Sequence, residues 1–339
     1  MLKRLVFSAV LLTFIVVVFG SFVRLSDAGL GCPDWPGCYG HIAVPESEVA
    51  YQKAQQNFPD KKIEKGQAWI EMIHRYLAGT LGLLILAIAV LSWRNRDKGV
   101  RVALPTILVG VVTFQALLGM WTVTLLLKPV IVSLHLLGGM TTFSLLVWLA
   151  MRHITFGNTV NQPQFGRYRA WAALGLVILF CQIALGGWVS SNYAALACPD
   201  FPTCQSLWLP PMDFQHAFHL VRELGVTAAG APLSSEALTA IHWSHRVGAL
   251  ITFAYLLFLG VVVAAAGSRR YGGLMLVFLF AQVGLGISNV ILSLPLAVAV
   301  AHNATAALLL ASLVVVIFAL NRQEQGNTRE LSSLHDNIH

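Results

Sequence analysis

Eight apolar runs punctuate the chain, at about 4–23, 68–92, 103–126, 131–151, 170–190, 239–266, 272–292 and 297–320. A helix crosses about 30 Å of hydrocarbon with roughly 20 such residues, so each run predicts one span. Short polar turns separate most of them, and two longer polar segments, about 24–67 and 191–238, interrupt the series. The pattern predicts an all-α integral membrane protein with eight transmembrane helices. The first run opens on the basic residues Lys3 and Arg4 but is followed by no small-residue cleavage site, and it reads as a retained helix.

Composition agrees, since 57% of the 339 residues are hydrophobic, 11% are charged and the mean hydropathy is +0.71. An ordinary water-soluble fold is excluded on those values, and lipid is the solvent for most of the chain. The formal net charge of +7 is a topology signal. Lys3, Arg4, Arg94, Arg96, Lys98, Arg101, Arg152, Arg167, Arg169, Arg269, Arg270, Arg322 and Arg329 fall on one side, whereas Lys53, Lys61, Lys62 and Lys65 in the first long loop are diluted by acids. By the positive-inside rule the first side is cytoplasmic, with both termini on it and the two long loops outside, in the inner (plasma) membrane. Nucleic-acid binding is not expected, because no soluble basic domain is present to grip phosphates.

The chain also repeats itself at an offset of about 166–171 residues. Cys32-Pro33-Asp34-Trp35-Pro36-Gly37-Cys38 returns as Cys198-Pro199-Asp200-Phe201-Pro202-Thr203-Cys204, His74-Arg75 as His245-Arg246, Gln115 with Gly119 as Gln282 with Gly286, and His135 as His302. The fold expected is therefore two homologous four-helix bundles in a parallel repeat, residues 1–155 and 156–339, with the boundary in the stretch 155–168.

Two readings stand for the cysteine pairs Cys32/Cys38 and Cys198/Cys204. Their prolines turn the chain enough for a disulfide to staple each outer loop, and a redox-active dithiol is the alternative. Cys181, inside the fifth run, reads as a small buried hydrophobe.

Ionisable residues inside a membrane span are costly and tend to face the bundle interior with a function. His74, His135, His242 or His245, and His302 qualify, and their positions place His74 and His135 at nearly the same depth on two helices that run in one direction. His245 and His302 repeat the arrangement. Two histidines facing each other in this way supply both axial ligands of a heme iron. His245 is preferred to His242 because it aligns with His74 through the shared His-Arg pair. His41, His153, His216, His219, His335 and His339 fall in loops or tails.

Other residues leave alternatives open. Gly79, Gly82, Gly110, Gly119, Gly138, Gly139, Gly186, Gly187, Gly284 and Gly286 allow close helix packing or leave room for a flat macrocycle. Gln115, Gln182 and Gln282, each in a Gln-x-x-Leu-Gly pattern, bond across helices or to a ligand. Arg75 and Arg246 either pair with heme propionates or snorkel to the outer interface. One helical turn before the first ligand stands Glu71, where the second half has His242. Only the first half therefore has an acid beside its heme, placed to relay protons or to stabilise positive charge on a substrate carbon, unless it serves only the helix start.

The segment Val23-Arg24-Leu25 through Gly29-Leu30-Gly31-Cys32-Pro33-Asp34-Trp35-Pro36-Gly37-Cys38-Tyr39-Gly40, the Glu71-x-x-His74-Arg75 motif and the repeated His135 and His302 resemble the heme A synthase family, also called cytochrome oxidase assembly proteins, over about residues 5–320. The resemblance implies oxidation of the C8 methyl of heme O to a formyl group through a hydroxymethyl intermediate. It implies that Glu71, His74 and His135 serve the substrate heme, and that His245 and His302 hold a heme B cofactor. It further implies a heme O-producing farnesyltransferase as supplier and a quinone or protein electron partner, and leaves room for a homo-oligomer. No dinucleotide or P-loop fingerprint offers another electron source. Two other classes use the same histidines: a two-heme electron-transfer cytochrome, and a heme transporter or chaperone.

Overall fold

A computed structural model describes residues 1–154 and 168–336. Among the described residues there are helices and no strands: α1 (Leu2–Leu25), α2 (Glu48–Asn57), α3 (Lys65–Arg94), α4 (Ala103–Thr124), α5 (Pro129–Met151), α6 (Arg169–Ser191), α7 (Phe214–Ala217), α8 (Ser235–Ala265), α9 (Arg269–Ile291) and α10 (Leu296–Asp336). Eight of them, all but α2 and α7, are long and apolar enough to cross a membrane, α10 through Asn321. The protein is thus a multi-pass membrane protein. Its outer surface is greasy where lipid would meet it, with Leu83, Leu250 and Val277 exposed by 70%, 68% and 63%.

The helices extend past the apolar runs where polar residues cap them. Ser234 at the start of α8 accepts a hydrogen bond from the Ala237 amide at 3.2 Å, and Ser47 does the same for α2 from Ala50. Within the spans, hydroxyls return to their own helix, as Thr13 donates to the Ala9 carbonyl at 2.6 Å and Ser92 to Ile88 at 2.7 Å, so these polar groups are satisfied without water.

Helix α1 packs against α3 and α5, and α4 against the same two, while α8 and α10 each pack against α6 and α9. The two sets meet where α10 touches α1 and α5 and where α5 touches α6. Rings join across that seam, with Trp148 edge-on to Phe318 at 5.0 Å, and within the first set Phe14 is tilted on Phe143 at 6.0 Å. At the end bearing the long loops, Arg24 donates to the Ser190 carbonyl at 2.7 Å and its guanidinium lies 4.0 Å from the centre of the Tyr193 ring. Tyr193 in turn donates to Asp27 at 2.9 Å. Both of these hydrogen bonds join positions 166 apart, the offset of the cysteine motifs.

The same offset logic appears in the tight turns. Leu126 and Leu127 between α4 and α5 adopt positive φ, as do Ser293 and Leu294 between α9 and α10. Leu127 donates to the Thr122 carbonyl at 2.8 Å and Leu294 to Asn289 at 2.7 Å.

Two expectations need correction or restriction. Cys181 is exposed on the lipid-facing side of α6, because the helix turns Leu179 and Ile183 inward instead. The proposed boundary 155–168 lies outside the described residues except for Tyr168, as do Arg167 and His339, together with the side chains of Arg322, Arg329 and His335. The backbone at His335 belongs to α10 and not to a loop.

Candidate functional site

Each of the four histidines is seated against a glycine on a neighbouring helix. A Cβ added at Gly20 would lie 2.9 Å from Cε1 of His74, and at Gly119, Gly186 and Gly286 it would lie 3.2, 3.1 and 3.1 Å from Cε1 of His135, His245 and His302. A side chain at Gly20 would force the His74 ring to shift, and at the other three glycines the imidazole would have to give by a few tenths of an ångström. His74 and His135 are near enough to interact electrostatically, and so are His245 and His302.

At the level of the histidines most of the helices carry no fully buried residue, α6 with Ile183 and Gly187 excepted. On α1 no residue is fully buried between Thr13 and Val23, on α3 none between Met72 and Leu81, on α4 none between Leu108 and Leu118, and on α5 none between Ser133 and Met140. In the second set the same holds from His242 to Thr252 on α8 and from Leu279 to Val290 on α9. Seven to eleven residues of helix rise about 10–17 Å. Below this level lies the apolar core around Ile85, Leu108 and Leu146, and above it the buried cluster around the Cys32–Cys38 loop.

Polar atoms at this level are left without partners. Nδ1 of His74, His135 and His302 and Oε1 of Gln115, Gln182 and Gln282 are enclosed and make no hydrogen bond. The glutamines nevertheless reach the histidines: Gln115 donates to the His135 carbonyl at 2.6 Å, Gln182 Nε2 lies 3.0 Å from both Nδ1 and the carbonyl of His245, and Gln282 Nε2 lies 3.1 Å from Nε2 of His302. Of the ten glycines singled out in the sequence, Gly79, Gly82, Gly110 and Gly284 have nothing within 4 Å, so close helix packing is not what they provide.

The cysteine loops form roofs over the two sites. Cys32–Cys38 and Cys198–Cys204 are disulfides with Cα–Cα distances of 4.8 and 4.6 Å, and all four cysteines are buried. Inside the first loop the Asp34 carboxylate accepts from the Tyr39 and Gly40 amides at 2.6 and 2.8 Å; Asp200 accepts from Gln205 and Ser206 at 2.6 and 3.0 Å. The hydroxyl of Thr203 holds the Asp200 carboxyl below its ordinary range. Burial, and after it the Glu71 and Asp34 carboxylates, raises the Tyr39 phenol above its ordinary value.

Glu71 is the peg on which the first roof hangs. Its carboxylate accepts from the Cys32 amide at 2.9 Å and from Arg75 at 2.5 Å, and it is 4% exposed. Arg75 also donates to the carbonyls of Asp34, Pro36 and Gly37. In the second half His242 stands in for the acid: its Nδ1 faces the Cys198 amide at 3.3 Å and its Nε2 faces Arg246 at 3.3 Å. Arg246 donates to the Thr203 and Cys198 carbonyls at 2.7 and 2.8 Å. Both ring nitrogens of His242 thus face donors, and both arginines are taken up by the loops.

The chain matches the family model for the cytochrome oxidase assembly protein over residues 3–314. It is 44% identical over 324 residues to the heme A synthase of Shewanella oneidensis, covering 94% of this chain and 96% of that one. The chain belongs to the cytochrome oxidase assembly protein family. More distant heme A synthases from Caulobacter vibrioides and Agrobacterium fabrum are 26% and 28% identical, over 88% and 91% of this chain and 90% and 87% of theirs. As in that family, the chain is an oxidoreductase by relationship.

Heme is the group the family implies, and the residues fit it. Buried imidazoles, glycine seats that a Cβ would fill and enclosed polar atoms without partners are the features a heme would need, and His74, His135, His245 and His302 are the residues that would hold it. Among the described residues no three His, Cys, Asp or Glu side chains converge as in a multidentate metal site. Sequence reasoning missed Gly20, the seat of His74, and the Arg24–Ser190 and Tyr193–Asp27 clasp. Both signals were present as positions 166 residues from Gly186 and from one another.

Proposed function

We propose that this protein oxidises the C8 methyl of heme O to the formyl group of heme A, by way of a hydroxymethyl intermediate. The observation that carries the reading is the asymmetry of two otherwise matching sites: a buried carboxylate, Glu71, stands one turn from His74, and an imidazole, His242, stands at that place beside His245.

His74 and His135 in residues 1–155 bind the substrate iron, and His245 and His302 in residues 156–339 hold heme B. A bound heme B supplies one-electron exchange with an outside partner, either a quinone or a protein. Gly20 and Gly119 set the ring positions, and Arg75 clamps the roof through its bonds to the Asp34, Pro36 and Gly37 carbonyls. Glu71, paired with Arg75, stabilises positive charge developing at the methyl carbon as electrons leave toward the outside partner and water adds its oxygen, and accepts the proton released there. Heme O comes from a membrane farnesyltransferase. The cysteine loops and the roofs they form lie on the outer face of the inner membrane, with both termini cytoplasmic.

Mass analysis of hemes extracted from half-site variants tests this division. His245→Ala should lose heme B and keep heme O, and His135→Ala should do the reverse. Loss of the same heme B from either variant would favour a two-heme electron carrier.

A further inference from the structure

We infer that His74 is the releasable ligand of the substrate iron, because it alone among the four histidines lacks a glutamine to hold it; this rests on the heme-binding reading above. Four residues before each glycine seat the chain has Val16, Gln115, Gln182 and Gln282, for His74, His135, His245 and His302 respectively. Val16 stands 166 residues before Gln182, as Gly20 stands before Gly186.

Where a glutamine is present, an acceptor and a donor wait side by side. Gln115 Oε1 and His135 Nδ1 are both enclosed without partners, and Gln282 Oε1 and His302 Nδ1 likewise. As the side chains stand, Gln115 bonds to the His135 carbonyl and Gln282 Nε2 meets Nε2 of His302, so each pair forms only after the amide flips and, for His302, the ring turns over as well. A carbonyl accepting from Nδ1–H fixes the tautomer that leaves Nε2 for iron, orients the ring and raises its basicity. Gln182 already lies 3.0 Å from His245 Nδ1.

His74 has the waiting donor and no acceptor. Its Nδ1 is enclosed without a partner, α1 offers the apolar Val16, and the ring stacks near Phe19 at 6.4 Å between centroids. The glycine that accommodates the amide in two of the three other sites is replaced as well. Three residues beyond His135 and His245 stand Gly138 and Gly248, where an added Cβ would collide with Oε1 of Gln115 and Gln182; three beyond His74 stands Leu77.

The step is dissociation of a neutral imidazole: the bond from Nε2 to the substrate iron breaks, its electron pair stays on nitrogen, and no electron is transferred. A substrate site must load and unload, while a resident cofactor need not. One weakly held ligand opposite the firmly held His135 gives that property to the N-terminal half alone.

The test adds carbon monoxide to the dithionite-reduced full chain in nanodiscs and follows the absorption change per heme. Carbon monoxide should bind one of the two hemes, the one retained in His245→Ala. Val16→Gln, or Val16→Gln with Leu77→Gly if the single change does not fit, should weaken that binding by about 10-fold or more. Val16→Leu should leave it unchanged, and Gln182→Val should open the second heme to carbon monoxide. Equal reactivity of both hemes, or full reactivity after Val16→Gln with heme content intact, overturns the inference while the heme sites stand. A wild-type chain that retains no heme overturns the site reading itself.

Discussion

Glu71→Gln should lower conversion of heme O by roughly 10²–10⁴-fold, the range for removing a positioned proton acceptor, while the amount of heme bound per chain stays the same. Glutamine has nearly the same shape and keeps an oxygen for the Cys32 amide, so the roof remains attached at 2.9 Å from that amide. What disappears is the negative charge between Arg75 and the substrate edge. The time course of heme A formation in membranes, normalised to heme content, measures it. Equal rates for the two proteins would reduce Glu71 to a structural peg, which is the part His242 plays in the second half.

Arg75→Ala should be the most destabilising single change at the roofs. Its partner Glu71 is 5% exposed at the side chain, and removing one member of a buried pair leaves a charge uncompensated, at about 3–5 kcal/mol. Arg246→Ala also frees a cysteine loop but leaves behind only the imidazole of His242, so its cost should be clearly smaller. The midpoint of thermal unfolding in detergent separates the two. Equal shifts would mean that the bonds to the loop carbonyls dominate and that the Glu71 charge carries little.

The spans were legible in the sequence because a run of apolar residues has one stable form in lipid, and the helix ends differ from the predicted runs by up to four residues, as where Ser235–Leu238 precede the run in α8, apart from the extension of α10 to Asp336. The four histidines could be singled out because an internal repeat supplies its own alignment, and each of them is seated against a glycine of a neighbouring helix. Gly20 was not, since the pattern that marks the other three seats begins with glutamine, and Val16 breaks it in α1. The contacts of Glu71 with Cys32 and of His242 with Cys198 span 39 and 44 residues, and no local periodicity encodes them. Cys181 shows the converse limit: in a helix apolar on every side, residue type does not tell the face toward the core from the face toward lipid.

The most direct test of the account is mass analysis of hemes extracted from the wild-type chain purified after co-expression with a source of heme O. The account predicts heme A or its hydroxymethyl precursor together with heme B. Heme B alone, with heme O left unchanged in the membrane, would contradict it.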